Sequence, residues 1–186
     1  MRNLIFVLAF AAVFSGCTIV AKSAPENRYF ILGNSDFKIC QDKESRRHIN
    51  IRPVKSQSPF DTKEIMMIDK NSQIYPMKDA RWIALPSEMI YTKILSEIEG
   101  GCLFKTSLDR ANLSLQTTLL SLNADEERAL ISLSVTLSKN DKILKSEIVS
   151  AAKPLASKEA KEVINALNSA LDEAVGKILN ILKEYK

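Results

Sequence analysis

Four side chains in this 186-residue sequence could act as a strong nucleophile, a soft metal ligand or a proton carrier near neutral pH: Cys17, Cys40, Cys102 and His48. A thiolate can take an acyl group, bind zinc or form a disulfide, and an imidazole can move a proton. Their spacing restricts these options. No C-x-x-C, H-E-x-x-H or EF-hand spacing occurs, so no metal site is expected. His48 is the single histidine, flanked by Arg46, Arg47 and Ile49 at the entry to a predicted strand. One such residue does not build a Ser/His/Asp or Cys/His constellation, and it reads as an exposed or satisfied strand-end histidine. "EGGC" (99–102) lacks the GK[ST] ending of a phosphate cradle and closes a helix rather than opening one. The "NLS" sequon at 112–114 falls in a predicted strand and reads as coincidence. No catalytic residue and no enzyme activity are expected.

Cys17 has a different context. The segment before it, "MRNLIFVLAFAAVFSG", has one positive charge at Arg2, an unbroken apolar run from Leu4 to Phe14, then Ser15 and Gly16. That is a charged n-region, a short h-region and a small-residue cleavage site, hence a secretory signal over 1–16. A membrane span needs about 20 apolar residues, and this run is too short. The small-small-Cys ending resembles the bacterial lipobox, in which the cysteine becomes the lipidated first residue of the mature chain. The alternative is a plain secreted protein with an incidental cysteine. Each buried CH₂ contributes about 0.8 kcal/mol, so one acyl chain holds weakly and the two or three of a bacterial lipoprotein hold firmly. A covalent lipid on Cys17 is then the membrane anchor, and no other cofactor is expected. "TIVAKSAPEN" (18–27) completes a tether, residues 17–27, which reaches about 35 Å when extended.

Cleavage removes only Arg2 from the charge count, leaving 25 basic and 22 acidic residues, a net of +3. That balance gives no argument for nucleic acid, which would call for a concentrated basic stripe. The remaining residues suit one domain, 28–186. Cys40 and Cys102 lie in an oxidising compartment, which allows a disulfide worth roughly 4 kcal/mol by chain entropy. Two separate buried thiols are the alternative, and sequence alone does not decide between them.

The elements that would position these residues follow from periodicity. "RYFILGN" (28–34) and "HINIRPV" (48–54) read as strands, with Ile49 and Ile51 on one face of the second. "KEIMMID" (63–69) and "QIYPM" (73–77) read as a hairpin around "KNS", with Pro76 at an edge or a strand end. "LPSEMIYTKILSEIEGG" (85–101) is a helix with Pro86 in its first turn, Glu88 near its positive end and Gly100 as its C-terminal cap. Segments 110–122, 129–138 and 143–151 form a meander. In the middle strand Ile131, Leu133, Val135 and Leu137 face in, and Ser132, Ser134, Thr136 and Ser138 face out. A long helix runs from about 157 to 184, with Ser157 as N-cap and a broad apolar stripe that packs on the sheet rather than in a coiled coil. The expected class is α+β: a two-layer domain with a mainly antiparallel sheet and two helices packed on one face.

The central block, residues 51–95, carries a specific pattern: Pro53-Val54 at a strand end, Phe60-Asp61-Thr62 in a loop, a hairpin, then Arg81-Trp82 before the helix start at Pro86. It resembles the ABC-type transport auxiliary lipoproteins, the family of the paraquat-inducible C-type lipoproteins. The lipobox, the meander and the closing helix fall in the same order. The resemblance implies a non-catalytic lipoprotein that docks the MCE-domain protein of an ABC lipid transporter to a membrane. Thr18, where an inner-membrane lipoprotein would carry Asp, points to the outer membrane, facing the periplasm. The alternative is an assembly lipoprotein of another envelope complex, of lipopolysaccharide or Tol type. Within the block, Phe60, Asp61, Arg81 and Trp82 are the candidate partner-binding residues. Phe60 leads, as an aromatic in a polar turn. Trp82 reads either as core or as an interface anchor, and Asp61 either caps its own turn or meets the partner. The oligomeric state is left open, a homo-oligomer included.

Overall fold

The computed structural model describes residues 27–34, 40–41, 46–109 and 111–185. The signal segment, Cys17 and the tether as far as residue 26 lie outside the described residues. The elements in chain order are β1 (Arg28–Phe30), β2 (His48–Ile51), β3 (Lys55–Ser56), β4 (Glu64–Ile68), β5 (Ile74–Trp82), α1 (Pro86–Gly100), β6 (Lys105–Thr106), β7 (Leu113–Ala124), β8 (Arg128–Lys139), β9 (Lys142–Pro154) and α2 (Ala160–Lys183). The fold is α+β, with the strands in one mixed sheet.

The meander is the frame of the sheet. β7 pairs with β8 and β8 with β9, both antiparallel over almost their full lengths. Leu113, Leu115, Leu119, Ile131, Leu133, Val135 and Leu137 all point into the core, as strict alternation requires when one face is dry. The β8–β9 turn places Asn140 and Asp141 both at positive φ, the conformation that matches strand twist in a two-residue hairpin. The β7–β8 turn is held by Asp125, whose Oδ1 accepts the backbone N–H groups of Glu127 and Arg128, each at 2.8 Å.

The short strands join this frame in parallel. β2, β3 and β4 lie one after another along the free side of β7. β6 adds to β2, and β1 adds to β5, again in parallel. β4 and β5 form the expected antiparallel hairpin. Its turn is closed by Asp69 Oδ1, which accepts from the backbone of Asn71 and Gln73. β5 does not stop at Pro76 but runs to Trp82. Pro76 is tolerated because β1 covers β5 only at Ala80–Trp82, so the missing N–H falls where β5 has one neighbour.

Both helices pack over the core face. α2 lies against β7, β8 and β9 and touches α1. Val163, Leu167, Leu171, Val175, Ile178 and Leu182 form its buried stripe, each worth roughly 1.5–3 kcal/mol of apolar burial. Two helix ends differ from expectation. The C-cap of α1 is Gly101 rather than Gly100. A Cβ at Gly101 would meet Glu97 O at 2.7 Å, so the close approach selects glycine there. α2 begins at Ala160 with Glu159 in extended conformation as its N-cap. Ser157 lies too far back to cap it and instead accepts the N–H of Glu159 at 3.3 Å.

Candidate functional site

Cys40 and Cys102 are joined in a disulfide, with Cα atoms 5.4 Å apart. It ties the segment before β2 to the end of α1. A polar cluster braces the same corner. Glu99 Oε1 accepts the backbone N–H of Thr106 at 2.8 Å, and its other oxygen lies 3.3 Å from Arg46 Nη1. Arg46 Nη1 also donates to Phe104 O at 3.1 Å. Burial pushes the Glu99 carboxyl up, but the bonds from Thr106 and the charge of Arg46 outweigh it and hold the pKa below the ordinary value. This corner is a structural clamp.

His48 stands at the start of β2 and lines an open surface cavity of about 520 Å³ with Arg47, Phe104, Leu113, Lys139 and Tyr185. Among the described residues, no three His, Cys, Asp or Glu side chains converge as metal ligands would.

The four residues singled out around the hairpin separate by burial. Trp82 is fully buried at the end of β5, level with Phe30 of β1. It is core and presents no surface to a partner. Phe60, expected at a loop tip, is half-buried and packs against the core. The reason is the chain path: Phe60 N donates to Gln57 O at 2.9 Å, so the loop folds back on itself. Arg81 is half-exposed and salt-bridged to Glu64 of the adjacent strand. Asp61 is exposed, and its Oδ1 accepts from Ser87 Oγ at 3.4 Å, fixing the loop to the start of α1. The block recognised in the sequence is therefore mainly a folding unit: two aromatics packed inward and two charges held locally.

None of these four is an exposed apolar side chain; inside the block those are Ile74, Tyr75 and Ile83, and others lie at the ends of the sheet. In the strand order β1-β5-β4-β7-β8-β9, β1 and β9 are the two ends. At the β9 end, Ile143 is 67% and Ile148 66% exposed. Both stand level with outward-facing serines of β8, Ser138 and Ser134, on the face away from the helices. β9 is 13 residues long and, among the described residues, pairs with β8 alone. Its outer main chain is therefore a template for another strand. Lys177 of α2 covers one part of that edge by donating to Ser150 O at 2.7 Å. In the Ile143–Ile148 half, among the described residues, the contact from the helix layer is to a side chain, Lys145 Nζ at 3.4 Å from Glu184 Oε2, and the strand pairs with β8 alone. Lys153 and Lys177 flank Glu173, 2.7 and 2.8 Å away, and pin β9 to α2. At the β1 end, Tyr29, Ile31 and Ile83 are 58%, 59% and 50% exposed. Sequence reasoning missed both ends, because whether a strand is an edge depends on pairing order and not on local pattern.

The model of the family described as ABC-type transport auxiliary lipoprotein component matches residues 40–179. The fold is similar to the crystal structure of protein XCC0632 from Xanthomonas campestris, at 15% identity and TM-score 0.65, covering 83% of this chain and 90% of that one. It is also similar to an uncharacterized protein at 10% identity and TM-score 0.70, covering 87% and 99%. A third similar structure is hypothetical protein CT253 from Chlamydia trachomatis, at 9% identity and TM-score 0.58, covering 76% and 98%. At these identities the likeness is one of fold. No curated protein matches the chain.

Proposed function

Because this chain belongs to the family of ABC-type transport auxiliary lipoprotein components, we propose that it is a non-catalytic docking lipoprotein that ties an MCE-domain assembly of a lipid transporter to a membrane. Cys17 carries the lipid, and Thr18 beside it directs the chain to the outer membrane, where the domain faces the periplasm. The MCE protein adds its own chain to the free edge of β9.

The observation that carries this reading is the combination at β9 of an open main-chain edge with Ile143 and Ile148 exposed beside it. Strand addition draws affinity from main-chain hydrogen bonds and specificity from alternate side chains. Large apolar side chains that stay in water on such an edge are a liability unless a partner covers them. The hydroxyl face around them gives a polar rim: Ser132 bonds Ser150 at 2.9 Å, and Thr136 bonds Ser146 at 3.1 Å.

The test is co-purification of the MCE protein with wild-type chain and with Ile143→Asp/Ile148→Asp. Both positions are exposed, so the variant should fold. Loss of the MCE protein from the variant is the expected result. Retention at wild-type level would remove β9 as the docking edge, and co-purification of a β-barrel or Tol component instead would place the chain in another envelope complex.

A further inference from the structure

We infer that Tyr29, Ile31 and Ile83, with Lys63 at their rim, form a surface that rests on the lipid bilayer; the inference depends on Cys17 carrying the anchor. The patch is contiguous. β1 and β5 run parallel, with Tyr29 level with Arg81 and Phe30 level with Trp82. Ile83 N continues the ladder, donating to Phe30 O at 2.9 Å. Phe30, Leu32 and Trp82 turn inward, so Tyr29, Ile31 and Ile83 come out together on the other face.

Its chemistry suits the interface between lipid and water. A tyrosine has an apolar body and a polar tip, and two isoleucines supply apolar area for the acyl boundary. One cation lies beside them: Lys63 Nζ donates to Ile83 O at 3.1 Å. Glu64 is paired with Arg81, which leaves Lys63 as the cation directly at the patch.

The position of the tether names the occupant. Ten residues, 18–27, separate Cys17 from Arg28, so the lipid confines β1 to within about 35 Å of the bilayer. A second, weak contact on a tethered body acts at high effective concentration and needs little affinity of its own. β1 is also the end of the strand order opposite β9. Five strand steps at about −20 to −25° each turn one edge by roughly 100° or more from the other. A domain seated on lipid by β1 therefore presents β9 away from its own contact.

The experiment uses the full lipidated chain in vesicles of phosphatidylcholine and phosphatidylglycerol. A nitroxide is placed at Ile31→Cys or, as control, at Leu108→Cys, a residue 79% exposed near β6. The expected result is flotation of both proteins, with collisions between a water-soluble relaxation agent and the label lost at position 31 and retained at 108. Adding Tyr29→Asp and Ile83→Asp should restore those collisions while flotation persists. Equal collisions at 31 and 108 in a floating protein would overturn the patch and leave the anchor standing. Continued protection at 31 in the aspartate variant would do the same. A chain that does not float would overturn the lipid anchor itself, and the inference with it.

Discussion

Lys93 Nζ of α1 lies 2.9 Å from Asp172 Oδ1 of α2, and 2.9 Å from Glu97 Oε1 one turn along its own helix. The same ammonium donates to Asn34 O at 3.3 Å. One buried cation thus ties the two helices to the segment that leads from β1. Asn168 of α2 closes the junction, accepting the N–H of Gly33 at 2.6 Å and donating to Ile31 O at 3.2 Å. Gly33 sits at φ +75°, and a Cβ there would meet Leu171 and Lys93, so only glycine lets the chain cross the helices this closely.

The Lys93 network gives a pH dependence. Burial lowers the Lys93 pKa, but hydrogen bonds and charge from Glu97 and Asp172 outweigh it, and the net shift is upward from 10.5. A raised pKa means the folded state holds the proton more tightly. The stabilisation is complete below 10.5 and is lost as pH rises through the folded value. Lys93→Met should cost about 1–2 kcal/mol in urea unfolding at neutral pH and flatten the alkaline end of the stability profile. An unchanged alkaline profile would mean the ammonium is not what joins the helices.

Glu173 supplies the acid counterpart. The Lys153 and Lys177 ammonium groups beside it bring its carboxyl from 4.5 to about 2. A depressed pKa stabilises the fold above the ordinary value and loses that contribution as pH falls from about 4.5 toward 2. Glu173→Gln should therefore reduce the fall in urea midpoint across this window. Hydrogen exchange in β9 should rise in the variant, since Glu173 pins that strand through Lys153.

The two aromatics of the 51–95 block should separate by stability. Trp82→Ala empties a fully buried site and should cost about 3–5 kcal/mol. Phe60→Ala removes a half-buried ring and should cost about 1–2 kcal/mol. Neither change should weaken docking once the protein is folded. Thermal melting with pull-down on both variants reads this, and a Phe60→Ala chain that melts normally yet loses its partner would return the docking site to that loop.

The 62-residue separation of Cys40 and Cys102 implies stabilisation of roughly 4 kcal/mol from chain entropy. Cys40→Ser/Cys102→Ser should lower the urea midpoint accordingly. Intact-mass alkylation of the non-reduced chain should find neither thiol free.

What was legible in the sequence was what local pattern encodes. Ile131 to Leu137 alternate without a break, and the α2 stripe recurs at helical spacing, so the meander and the closing helix followed. The parallel joins did not follow, because β2, β3 and β4 each meet β7 over two or three residues, too few to leave a periodic trace. Of the two places open to Pro76, the edge is the one it takes, and that choice depends on where β1 stops. Phe60 reads as a loop aromatic because its sequence neighbours are polar, whereas its packing is set by a turn that returns it to the core. The partnership of Cys40 with Cys102 required the tertiary path. The status of β1 and β9 as opposite ends is a property of strand order alone.

The most direct measurement is photocrosslinking in the native cell, with a photoreactive amino acid at Ile148, at Ile31 or at Phe60 of the lipidated chain. The expected result is capture of the MCE-domain protein from position 148 and not from 31 or 60. Capture from 60 or 31 with none from 148, or capture at 148 of a second copy of this chain alone, would contradict docking through β9.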